Sequence, residues 1–226
     1  MRLILGFLIV GSVLACSGLV EAQAQASTEP SISWNDSTRL ALGQCYVAEN
    51  RWRNRTEHAA MAYVLLRRWR RYLRMHPGST YSFEDQIRDY CAVHRTSSPS
   101  PHQTWVRALP WGTMETNPGM DPEQTDWRNW VDDWDYARET VTLFETGALR
   151  DPLPGAMNWG STDDGNPHRG IPMPRVIASV VDDGFVLLNN HFYALDQDAV
   201  RCYRPVMMTG TGGSRVQVYT ADRCRD

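Results

Sequence analysis

The stretch that most restricts what this chain can fold into runs from residue 57 to about 75, EHAAMAYVLLRRWRRYLRM. Ala60, Val64, Leu65, Trp69 and the pair Tyr72 and Leu73 recur at helical spacing and give a wide apolar face. The first half is apolar almost all round. Thr56 is a suitable helix cap, and Pro77-Gly78 stops the segment. Arg67, Arg68, Arg70, Arg71 and Arg74 crowd its second half, where cations complement the negative end of the helix dipole. The same cluster would also suit an anionic wall polymer or a lipid headgroup.

On either side of this segment the pattern is again helical. Asn35, Asp36 or Ser37 can cap a helix through Leu40, Leu42 and Val47 toward Glu49. Ser82, with Asp85 three residues on, makes a capping box for a third helix over 83 to about 94. Residues 96–122 are rich in Pro, Ser, Thr and Gly, with Trp105 and Trp111 embedded. That is too long for an ordinary connection, so it reads as a functional loop or an insertion. Its tryptophans would stack on sugar rings or pin the loop to the body. Thr125 or Asp126 then starts a long helix ending near Gly147, with Trp127, Trp130, Val131, Trp134, Val141 and Phe144 on one face as core.

From Pro152 the period changes. Short strand-like runs occupy 156–159, 176–181, 185–188, 192–195 and 216–219, separated by Asp-Gly, Asn-Pro and Gly-Gly turns. Asp182-Asp183-Gly184 is the clearest hairpin signal. Helices followed by a small antiparallel sheet make an α+β fold. There is no internal repeat and no Gly-rich phosphate loop.

Arg2 followed by the uncharged apolar run 3–20 is a targeting signal, with small-x-small cleavage sites ending at Ala24 and Ala26. Val13-Leu14-Ala15-Cys16 resembles a bacterial lipoprotein box, an alternative in which cleavage falls before Cys16 and a lipid on Cys16 is the only membrane attachment. Either route exports the chain, to the periplasm, the outer membrane or the medium. Residues 1–26 are then the signal, 27–36 a flexible lead-in, and 37–226 a single domain whose β-rich part starts near 152. Cys45, Cys91, Cys202 and Cys224 form an even set suited to an oxidising compartment. Three pairings exist; proximity in sequence favours Cys45–Cys91 and Cys202–Cys224.

All 23 basic residues are Arg, and the net charge of −3 gives no bulk-electrostatic argument for a nucleic-acid partner, so none is expected. The cysteines lack zinc-site spacing, and no histidine pair stands at metal-ligand spacing near a base, so neither a metal nor a cofactor is expected. A thiol hydrolase built on Cys91 and His94 is disfavoured because the exported cysteines are expected to be paired.

Glu49 stands where the first helix gives way to a short Arg- and Asn-rich loop. A carboxylate at such a junction is half-buried, so desolvation can lift its pKa toward that of a general acid. The simpler reading is a surface Glu paired with Arg51 or Arg53.

Three blocks decide between these readings. Glu49 and Arg51 lead into AAMAYVLLRR; Gly155-Ala156-Met157-Asn158-Trp159 follows a long helix and a Pro; Asn190-His191-Phe192-Tyr193 ends the sheet. In this order they resemble the cell-wall hydrolase family that includes the spore-cortex-lytic enzymes. The resemblance implies a lysozyme-like helical core with a small antiparallel β element, acting on the glycan strands of peptidoglycan. It implies Glu49 as general acid and base, with Arg51, Asn158, Trp159, Asn190, His191 and Tyr193 binding substrate. His191 is alternatively a core histidine satisfied by backbone. Asp163 and Asp164 are candidates for a second carboxylate, or form a turn with Gly165. The chain departs from the family at Trp52 and Arg53, where a small and an acidic residue are usual, and at Arg67, where Asn is usual. A non-catalytic envelope lipoprotein that keeps the shape to hold glycan or a protein partner is the alternative.

Overall fold

The computed structural model describes residues 29–50, 53–112, 130–160, 170–175, 180–181, 184–185, 188, 190–209 and 213–221. The expected signal segment, Cys16, Arg51, Trp52, Trp127, Asp163, Asp164 and Cys224 lie outside the described residues.

Helix α1 (Asp36–Glu49) is capped by Asn35, whose side chain accepts the Thr38 N–H. Helix α2 (Arg55–Met75) begins two residues earlier than a cap at Thr56 would place it: Asn54 is the cap, accepting the Glu57 N–H. Its first half is enclosed, with Ala60, Met61, Ala62, Val64 and Leu65 fully buried. Burial of each Leu or Val there contributes roughly 1.5–3 kcal/mol. Arg70 pairs with Glu29, and Arg71 and Arg74 are exposed, while Trp69 is buried, so only one side of the second half faces outward.

The expected third helix is divided. Helix α3 (Phe83–Tyr90) carries the Ser82–Asp85 capping box, and α4 (Ala92–Arg95) follows after an extended residue, Cys91. Cys91 is bonded to Cys45 of α1, and both are fully buried. The break at Cys91 turns the Ala92 N–H out of the helical ladder and toward α1. Part of the expected loop is also helical: α5 (Pro101–Arg107) has a Ser100–Gln103 capping box and buries Trp105 and Val106. Trp105 therefore belongs to the core and offers no platform for a sugar. The lead-in expected to be flexible differs too, because Trp34 packs edge-on to Phe83 at 6.1 Å and Phe144 at 5.9 Å.

Helix α6 (Trp130–Glu145) buries Trp134, Val141 and Phe144 on one face, as its spacing predicts. Gly43 allows this helix close to α1, since a Cβ there would meet the Trp134 ring at 3.0 Å.

The β part comprises β1 (Ala156–Gly160), β2 (Ile171–Pro172), β3 (Val180–Val181), β4 (Gly184–Phe185) and β5 (His191–Ala194), then helix α7 (Gln197–Arg201), β6 (Tyr203–Thr209) and β7 (Arg215–Ala221). β5 lies between β1 and β2, antiparallel to both. β3 and β4 pair as the expected hairpin, and β6 pairs with β7. The α+β class stands. Arg67 of α2 fastens β1 to the helices, donating to Ala156 O at 2.7 Å, to Leu153 O at 3.1 Å and to the Asp151 carboxylate.

Candidate active site

Three helix ends and two strands meet at one place. Glu49 is the last residue of α1 and is half-buried. Its Oε1 accepts the Ala92 N–H at 2.8 Å. That N–H opens α4 and has no partner within its own helix. The disulfide lies beside this contact: Cys45 is one turn before Glu49, and Cys91 directly precedes Ala92.

α2 supplies both ends of the arrangement. At its start Asn54 and Glu57 form a reciprocal cap, Asn54 Oδ1 accepting the Glu57 N–H at 3.1 Å and Asn54 Nδ2 reaching Glu57 Oε2 at 3.4 Å. Glu57 is fully buried. Its Oε1 accepts the Asn190 backbone N–H at 2.7 Å and also the Asn190 Nδ2. The same Nδ2 donates to Glu49 O at 3.2 Å. Asn190 thus joins the end of α1 to the start of α2.

Two turns from its end, α2 presents Arg68. Its guanidinium donates to Met157 O and to Asn158 Oδ1, and lies 4.4 Å from the Tyr90 ring centroid. Tyr90 in turn meets Trp159 edge-on at 4.5 Å. Burial pushes the Tyr90 phenol up, and the negative charge of Glu49 adds to that effect, while Arg68 and Arg95 oppose it. Glu49, Tyr90, Arg68 and Arg95 therefore share one electrostatic environment. Behind them, His58 stacks on Tyr46 with centroids 4.5 Å apart. Burial presses its imidazole down to about 3, outweighing the Asn50 backbone.

β1 and β5 carry the other two blocks side by side, with Asn158 opposite Tyr193, Trp159 opposite Phe192 and Gly160 opposite His191. The first glycine of the block, Gly155, has φ +88, and a Cβ on it would stand 2.6 Å from the Ala199 Cβ. Its role is local geometry.

The expected binding residues do not all face outward. Trp159 and Tyr193 are buried, so neither stacks on a sugar; Trp159 belongs to the core and packs against Tyr90. Asn158 is engaged by Arg68 and Tyr90. His191 is exposed, which removes the reading of a core histidine. Asn190 and His191 border a small recess of about 70 Å³, with Met173, Leu188 and Phe192 among its apolar walls and Arg175 on its lining. Arg53 pairs with Asp133 at 2.7 Å and Asp132 at 3.2 Å. It ties the loop before α2 to α6.

Sequence reasoning missed two contributors. Glu57 had a signal, since Asn-x-x-Glu before an apolar run is a helix-start pattern, but nothing in it pointed to Asn190. Tyr90 had none. Among the described residues no group of three His, Cys, Asp or Glu side chains is placed to hold a metal, and no helix is long and apolar enough to cross a membrane. The Cys45–Cys91 bond is compatible with a compartment outside the cytoplasm. Comparison with protein-family models, with curated proteins and with solved structures returns no match.

Proposed function

We propose that the protein is an exported, lysozyme-like glycosidase that cleaves the glycan strands of peptidoglycan, with Glu49 as general acid and base at the link between muramic acid and glucosamine. The observation that carries this reading is the meeting of three blocks distant in sequence. The Asn190 amide bonds to the Glu49 carbonyl, and the Asn158-Trp159 block abuts Tyr90, which shares the field of Glu49.

In the proposed reaction Glu49 carries the proton to be transferred while its Oε1 accepts the Ala92 N–H. The proton passes to the glycosidic oxygen as the bond from C1 to that oxygen breaks. The C6 hydroxyl of the muramic acid then bonds to C1 and returns its proton to Glu49. The product is an anhydro sugar and no water is consumed. If a second carboxylate activates water instead, water bonds to C1 and a reducing end results.

The test is zymography on purified peptidoglycan with mass spectrometry of released muropeptides, comparing the protein with Glu49→Gln. Release by the first and none by the second is expected, and the mass of the ends, differing by one water, separates the two reactions. Equal release by both proteins overturns the role of Glu49, and release by neither overturns the reading and leaves the non-catalytic envelope protein.

A further inference from the structure

Glu57 is a fully buried carboxylate whose bonds reach further than its helix cap. Taking a carboxylate out of water is unfavourable unless its oxygens are satisfied, so the partners it has indicate what it is for. Oε2 completes the cap with Asn54. Oε1 is given to Asn190, from which it accepts both the backbone N–H and one Nδ2 hydrogen. The other Nδ2 hydrogen goes to Glu49 O at 3.2 Å.

A carboxylate and a backbone carbonyl can only accept, and a primary amide has two donor hydrogens on one side and an acceptor on the other. With both hydrogens committed to acceptors, the Asn190 amide has one orientation. Turning it over would set Oδ1 against two oxygens. Oδ1 is what remains, and among the described residues no donor reaches it. The side chain that carries it is half-buried and lines the recess beside His191.

We propose that Glu57 is a positioning residue which, by orienting the Asn190 amide, makes Asn190 Oδ1 the acceptor for an amide N–H on the ligand, namely the acetamido N–H of an N-acetylated sugar. The orientation stands on the hydrogen bonds alone, while the identity of the ligand rests on the glycosidase reading. A sugar hydroxyl rotates to suit either end of an amide. An N–H cannot, and a reversed Asn190 would oppose donor to donor. A site whose amide is held in one sense therefore receives an acetamido N–H without first turning over.

The experiment uses Glu57→Gln, which keeps the side-chain shape and lets position 57 offer a donor as well as an acceptor. In ¹⁵N-labelled protein the Asn190 side-chain NH₂ pair, identified by its loss in Asn190→Asp, should exchange with solvent about tenfold faster in Glu57→Gln than in the wild type. On peptidoglycan, KM should rise about tenfold, and by more than kcat falls, a difference near 1.4 kcal/mol. Asn190→Ala should raise KM similarly. The double variant should be no worse than Asn190→Ala alone, because both changes act through the same oxygen. Unchanged exchange, additive losses, or a fall in kcat with KM constant overturns the proposal. Should Glu57→Gln fail to fold, the exchange of the wild-type pair decides the orientation, and rapid exchange there overturns it. If the wild type releases no muropeptide the glycosidase reading fails. The response of the Asn190 resonances to a tetramer of N-acetylglucosamine then decides the ligand separately, and no response overturns it.

Discussion

The Tyr90 hydroxyl accepts the Trp159 backbone N–H at 3.2 Å and faces Asn158 Oδ1 at 3.3 Å. One phenol at the end of α3 thereby satisfies the first strand where it passes the helices.

Tyr90→Phe keeps the ring against Arg68 and Trp159 and removes only this oxygen. The Trp159 N–H is left without its partner in a half-dry place. The expected loss is about 1–2 kcal/mol of unfolding free energy, read from urea denaturation. A loss within error would mean that water replaces the hydroxyl without cost.

Arg67→Asn restores the residue usual in the resembled family. Arg67 grips two carbonyls and the Asp151 carboxylate, and the two charged side chains are only 16% and 10% exposed. Breaking the pair removes the cation from a carboxylate that is only 10% exposed, so a loss of about 3 kcal/mol is expected. Thermal melting would report it, and an unchanged midpoint would show that Asn suffices.

The Cys45–Cys91 crosslink closes 46 residues of chain. Loop entropy assigns it about 4 kcal/mol. A double Cys→Ser variant, or the native protein under dithiothreitol, should unfold at correspondingly lower urea. Because the crosslink borders the contact between Glu49 and Ala92, activity on peptidoglycan should also fall at temperatures where the reduced protein is still folded. Activity that follows only the folded fraction would separate the two effects.

His58 makes the fold acid-sensitive. Its folded value of about 3 lies below the 6.5 of the unfolded chain, so below pH 6.5 the unfolded chain binds a proton that the folded one refuses. The stabilisation is complete above pH 6.5 and is lost as pH falls toward 3, at roughly 1.4 kcal/mol per pH unit. His94 is lowered as well and acts in the same direction. His58→Phe keeps a ring beside Tyr46 and does not titrate, so its stability should decline less steeply between pH 6 and 4. An identical slope would assign the acid limb elsewhere.

Helix positions and one hairpin were legible because period and capping are local. Asn35, Ser82 with Asp85, and the face through Trp134, Val141 and Phe144 needed only their neighbours. The break at Cys91 was not legible, because it depends on a bond to Cys45 and on a carboxylate from α1. β6 escaped because Arg204 and Pro205 spoil its apolar pattern; an outer strand paired on one side tolerates them. In the candidate site, Glu49 and Asn190 could be named from motifs. Glu57 could not be connected to Asn190, since 133 residues separate them. Trp159 and Tyr193 were assigned to the groove because a motif marks proximity to a site and says nothing about which way a ring faces.

α2 carries Asn54 and Glu57 at one end of the site, and Arg67 and Arg68 at the other. The chemistry is thus laid out along a single rigid rod. Chain inserted between the remaining elements can grow or shrink without altering the span between those two ends. A lineage of such proteins is free to vary its connecting segments widely, while a change of length inside this one helix would rotate half of the arrangement away from the other.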